Sequence, residues 1–137
     1  MANKNKGKLK LLIVEDEQDI LTLLREYLSG QGHEIVSCSL NANNILKDFE
    51  KNKPDVCLID YALPGDKNGI DAAIEILNKY PSTPILFITG HESMREDLLN
   101  YPFLQDKNIQ ILVKPLRLLE FEFAVLDIVK KRRTSGS

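Results

Sequence analysis

Asp60 closes an otherwise apolar run, Val56-Cys57-Leu58-Ile59, and leads straight into the turn residues Tyr61-Ala62-Leu63-Pro64-Gly65. A strand covered on both faces needs no polar alternation, so an acid at its end marks the carboxyl edge, where open α/β sheets place their ligand crevice. Taken alone, such an acid can simply cap a turn. Three further apolar runs end in the same manner: residues 9–14 meet Glu15-Asp16-Glu17, residues 84–88 meet Thr89, and Ile109–Val113 meets Lys114-Pro115. In a parallel sheet these ends converge on one edge. Carboxylates crowded there repel one another unless a cation is present, although Asp16 or Glu17 can also serve the amino terminus of the next helix. An all-oxygen set with neither Cys nor His suits Mg2+ or Mn2+ rather than Zn2+, and so few protein ligands leave a coordination place for a phosphate oxygen. Lys114 supplies a compact positive charge and Thr89 a hydroxyl, both able to hold an oxyanion. The inventory describes phosphoryl transfer to a carboxylate, with Asp60 as nucleophile.

The elements that must position these residues follow from hydrophobic spacing. Residues 19–28 carry Ile20, Leu21, Leu23, Leu24 and Leu28 at helical intervals, and Ser29-Gly30-Gln31-Gly32 stops that helix. Residues 33–37 read as a strand, with His33 as an ordinary surface histidine at the turn into it. Residues 41–51 read as a polar helix with Ile45, Leu46 and Phe49 inward, closed before Pro54. Residues 69–80 form a helix that Pro81 ends, and residues 92–105 a weak one that Pro102 ends or kinks. The last helix, residues 116–131, bears two apolar stripes: Leu116, Leu119, Phe123 and Leu126 on one side, and Leu118, Phe121, Val125, Ile128 and Val129 on the other. One stripe packs on the sheet. The other, unless residues 92–105 cover it, is an exposed patch for a protein target or a second copy of the chain. Five apolar strands alternating with helices make a doubly wound parallel α/β sheet.

With 137 residues the chain forms one domain able to bury about two thirds of its unfolded surface without disulfides or a structural metal. Eighteen basic against 20 acidic residues leave a net charge of −2, which gives no global attraction to nucleic acid or an anionic membrane. Cys38 and Cys57 lie in apolar runs and read as buried structural thiols. No secretory or membrane-spanning run is visible, so a cytoplasmic protein is expected. Residues 1–8 read as a disordered leader, 9–131 as the domain and 132–137 as a polar tail.

In order and spacing, Glu15-Asp16, Asp60 with Pro64 four residues on, Thr89 beside Gly90, and Lys114-Pro115 resemble the receiver domain of two-component response regulators over nearly the whole chain. The resemblance implies a flavodoxin-like five-stranded sheet of order 2-1-3-4-5, with Asp60 taking phosphate from a histidine kinase or histidine phosphotransfer protein. It implies Mg2+ held directly by Asp16, Asp60 and the backbone carbonyl of Ala62, Glu15 acting through water, and a cis peptide bond between Lys114 and Pro115. It also implies a switch of partners rather than an enzyme acting on an outside substrate. Departures accompany the matches. Ile111 stands where the family usually has an aromatic residue that turns with the Thr, Gly69 comes one residue later than usual after Asp60, and residues 92–108 lack the common Ala/Gly-rich turn. The positions that tune dephosphorylation hold Ala62, which cannot orient a water, and His91, which can. Two other readings remain: a pseudo-receiver acting only through its surfaces, and a Mg2+-dependent aspartyl phosphohydrolase, which would want an acid where Ala62 stands. A nucleotide-binding domain would need a Gly-rich first loop, and Glu15-Asp16-Glu17-Gln18 would repel phosphate there.

Overall fold

The apolar runs pair as β1 (Lys10–Val14), β2 (Glu34–Ser39), β3 (Val56–Asp60), β4 (Ile85–Thr89) and β5 (Ile109–Val113), all parallel, in the order β2-β1-β3-β4-β5. This computed structural model describes residues 8–90, 93–115 and 117–135. The crossovers are α1 (Gln18–Gly30), α2 (Ile45–Asn52), α3 (Gly69–Lys79) and α4 (Met94–Leu98), and α5 (Leu118–Ser135) follows β5. The doubly wound sheet of order 2-1-3-4-5 is therefore as the sequence implies. No helix among the described residues is long and apolar enough to cross a membrane.

Alternate strand residues feed two cores, which explains why the strands lack polar alternation. Leu12, Cys57, Ile59, Ile85 and Phe87 pack with Phe49, Ile76, Leu77 and Met94 from α2, α3 and α4. Leu11, Ile13, Leu58, Leu86 and Ile88 pack with Leu24 and Leu28 of α1 and with Phe121, Val125, Ile128 and Val129 of α5. The α5 stripe containing Phe121 thus faces the sheet. Leu119 and Phe123 on the opposite stripe remain 58% and 63% exposed, and Leu116 of that stripe lies outside the described residues.

Several local expectations are corrected. α2 starts at Ile45 rather than residue 41, because the Asn41 side chain accepts the Asn43 N–H and turns the backbone before the helix begins. Instead of one helix over residues 92–105, α4 is a single short helix followed by a 3-10 turn at Pro102–Leu104. α5 continues past Lys131 to Ser135, where no breaker stops it and cations suit a helix carboxyl end. Cys57 is buried, but Cys38 is only partly so. His33 is not a surface residue: its ring is buried, Nδ1 accepts the Leu9 N–H at 3.1 Å, and Nε2 lies 3.3 Å from the Glu122 carboxylate on α5. The ring supplies an acceptor to a backbone donor that would otherwise be unpaired below the start of β1. Apart from Lys8, the leader expected at residues 1–8 lies outside the described residues.

Candidate functional site

Strand register brings the chemistry to one level of the carboxyl edge. Val14 lies opposite Ile59, Asp60 opposite Ile88, and Thr89 opposite Val113, so the residues that leave these strand ends enter one crevice. Glu15 is anchored as β1 ends by its N–H donating to the Ser39 carbonyl at 3.0 Å, and its side chain is buried. Its Oε2 accepts the Glu17 N–H at 3.1 Å. Asp60 is 3% exposed; its Oδ1 accepts the Ala62 N–H at 3.2 Å, and its Oδ2 accepts from Lys114 Nζ at 3.1 Å. Lys114 is placed by its N–H donating to the Thr89 carbonyl at 2.7 Å, and the following Lys114–Pro115 peptide is cis. Its ammonium also lies 3.2 Å from both Glu15 Oε1 and Glu17 Oε1. Oxygens of Glu15, Asp16, Glu17 and Asp60 fall within 4.8 Å of one another.

The structure therefore gathers Glu15, Asp16, Asp60 and Lys114, and places Thr89, fully buried, at the adjoining strand end. Ile111 is half-buried away from them, in the core beneath α4. His91 lies outside the described residues. Two residues escaped the sequence reading. Glu17, read as one of three crowded acids with service to the helix amino terminus as the alternative, makes no side-chain cap and faces Lys114. The sequence reading has Gly69 as the first residue of the helix over residues 69–80, one place later than usual after Asp60, without a place at the site. Gly69 opens α3 against the site, donating its N–H to the Tyr61 carbonyl at 2.8 Å. The signal available for Glu17 was the third consecutive acid.

The electrostatics are those of an overcrowded carboxylate pocket. Burial pushes the Glu15 carboxyl up to about 7; the Glu17 N–H opposes this, nearby Asp60 reinforces it, and Lys114 opposes it. For Lys114, burial works against the charged form, but Asp60, Glu15 and Glu17 outweigh it and hold the ammonium protonated above its usual range. Glu15 Oε1 is buried with no hydrogen bond despite its proximity to Lys114. An orphaned carboxylate oxygen amid further acids, with no soft ligand among the described residues, fits a hard divalent cation.

This arrangement makes metal-free stability depend on pH. Folded Glu15 keeps its proton up to about pH 7, whereas the unfolded carboxyl releases it near 4.5. Between those values the folded state binds the extra proton, so the contribution is complete below the lower value and is lost as pH rises through the upper one. In EDTA, unfolding free energy is expected to fall by about 2 kcal/mol across this window, a figure reduced for solvent screening. Glu15→Gln should flatten the slope. Equal slopes in variant and wild type, measured by urea unfolding from pH 4.5 to 8, would contradict the assignment.

Fold and site together define a doubly wound α/β domain whose carboxyl-edge crevice combines a cluster of four acids with the ammonium of Lys114. A family model for the response regulator receiver domain matches residues 11–125, and the chain belongs to that family, the receivers of two-component systems. It is 32% identical over 127 residues to the transcriptional regulatory protein RprY of Bacteroides fragilis, covering 92% of this chain and 51% of that protein. The chain thus spans about half the length of that relative. It is 27% identical over 116 residues to the chemotaxis protein CheY of Listeria monocytogenes, covering 77% of this chain and 97% of that one. Among solved structures, a CheY-like receiver domain protein from Methanospirillum hungatei matches with a TM-score of 0.80 at 20% identity, over 94% of this chain and 99% of that one. A receiver domain protein from Clostridium thermocellum matches with a TM-score of 0.77 at 23% identity, over 91% and 97%. At such identities these two likenesses speak to the fold alone.

Proposed function

We propose that residues 9–131 are a phosphoacceptor receiver in which Asp60 takes a phosphoryl group from a histidine kinase or histidine phosphotransfer protein and thereby changes its binding to a downstream protein. The observation that carries this reading is the Asp60 carboxylate, held 3.1 Å from Lys114 Nζ inside a ring of further acids. In the transfer, an Asp60 oxygen forms a bond to phosphorus while the phosphorus–nitrogen bond of the donor phosphohistidine breaks. The electron pair leaves on the imidazole nitrogen, which takes up a proton. Lys114 and the Thr89 hydroxyl hold the phosphoryl oxygens. Asp16, Asp60 and the Ala62 carbonyl would bind Mg2+, or Mn2+, directly, and Glu15 through water. The bound ion neutralises charge on the phosphoryl group and the carboxylates. Hydrolysis of the acyl phosphate returns the carboxylate, slowly because Ala62 offers nothing to orient a water, with His91 as the residue that modulates it. Beyond this self-directed chemistry no outside substrate is turned over, and an aspartyl phosphohydrolase would want an acid at Ala62.

Incubation with acetyl phosphate and Mg2+ is expected to add one phosphoryl group by intact mass, with none added in EDTA. No gain with any donor would sink the phosphoacceptor role and leave a pseudo-receiver. Leu119 and Phe123, exposed on α5, form the surface we assign to the downstream target or a second copy. Sedimentation that stays monomeric with and without acetyl phosphate would rule out the second copy.

A further inference from the structure

Both Asp60 oxygens already have donors, Ala62 N–H on one and Lys114 Nζ on the other. A phosphoryl group on Oδ1 takes the place of the Ala62 N–H, so modification of that oxygen is felt in the turn from Asp60 to Ala62. Tyr61 is the middle residue of that turn. Its backbone is clamped, with its N–H donating to the Ile88 carbonyl at 2.9 Å and its carbonyl accepting from Gly69 at 2.8 Å. Its ring is half-buried against the core, and its hydroxyl donates to Asp97 Oδ2 on α4 at 2.7 Å. Among the described residues α4 is held besides by Met94, which is buried, by Leu98, partly so, and by the Leu98 carbonyl accepting from Gln105 Nε2 at 2.7 Å, while Ser93 makes no side-chain cap.

We propose that the Tyr61–Asp97 hydrogen bond ties α4 to the turn bearing Asp60 and transmits the state of that carboxylate to α4. The inference rests on Asp60 being the phosphoacceptor. A rigid ring fixed at both ends passes a shift of its backbone to its hydroxyl, and α4 is the element short enough to answer. Ile111, beneath α4, has no polar group with which to do the same. The Tyr61 hydroxyl is pushed up to about 12, first by its hydrogen bond to Asp97 and then by burial. Such a bond is a coupling in the strict sense only if both ends respond to its loss.

The test is amide hydrogen exchange of residues 93–98 in wild type, Tyr61→Phe and Asp97→Ala, with and without acetyl phosphate and Mg2+. Phosphoryl occupancy is read by intact mass on the same samples. Wild type is expected to change its exchange in this segment on phosphorylation. Both variants should accept phosphate as wild type does, exchange there roughly tenfold faster without phosphate, and show no further change with it. The double variant should match the singles, since each removes the same bond. A wild-type-like response in Tyr61→Phe, or a fully phosphorylated wild type whose α4 exchange does not move, would overturn the proposal. Should wild type take up no phosphate, the phosphoacceptor reading fails and the transmission with it; unchanged exchange in the unphosphorylated variants would then overturn the tie as well.

Discussion

Lys114→Met is expected to lower the stability of the magnesium-free protein by about 3 kcal/mol and to slow phosphoryl uptake by about 10²–10³-fold. Met keeps most of the aliphatic stem, so the change isolates the charge. Without the ammonium, Glu15 and Asp60 remain buried within reach of each other and of Glu17 with the shared cation gone. Mg2+ should therefore restore more stability to the variant than it adds to wild type. Urea unfolding with EDTA and with Mg2+ measures the first effect, and the rate of mass gain from acetyl phosphate the second. Equal stability in EDTA would show that Lys114 does not compensate these carboxylates in the folded state.

Gly69→Ala carries the next largest effect, and two principles give it opposite signs. Gly69 is the first residue of α3, where helix propensity alone favours Ala by up to about 1 kcal/mol. A Cβ there would lie 2.5 Å from the Asp60 carbonyl oxygen and 2.8 Å from Tyr61 Cα, both backbone atoms with no flexible end to yield. Overpacking wins, and a loss of about 2–3 kcal/mol is expected, with slower phosphoryl uptake because the Asp60 turn must shift. Gly90→Ala is the control, since among the described residues nothing lies within 4 Å of its added Cβ. A neutral or stabilising Gly69→Ala would mean that the loop does not press on the site.

The sheet was legible because a parallel strand buried on both faces is written as an unbroken apolar run, as in Val56–Asp60 and Ile85–Thr89. The site was legible for the same reason, since a polar residue closing such a run has no core role. What the sequence hid depended on distant partners or on competition between local options. His33 is buried by a Leu9 donor and a Glu122 carboxylate that its neighbours do not announce. Glu17 suited a helix cap as well as a lysine, and Lys114 is brought to it only by the fold. α4 is short because Pro102 and the polar residues before it give a helix too little apolar face to extend. On α5 both stripes were apolar, and only the seating of Phe121, Val125 and Ile128 in the core decides which one faces solvent.

Reduction of the phosphorylated protein with borohydride, followed by peptide mapping, tests the phosphoacceptor most directly. An aspartyl phosphate is reduced to homoserine, so conversion at residue 60 alone, dependent on Mg2+ and abolished in Asp60→Asn, is the expected result. Homoserine at Asp16, the one-carbon-longer 2-amino-5-hydroxypentanoic acid at Glu15 or Glu17, or a phosphoryl group that survives the Asp60→Asn change, would contradict it.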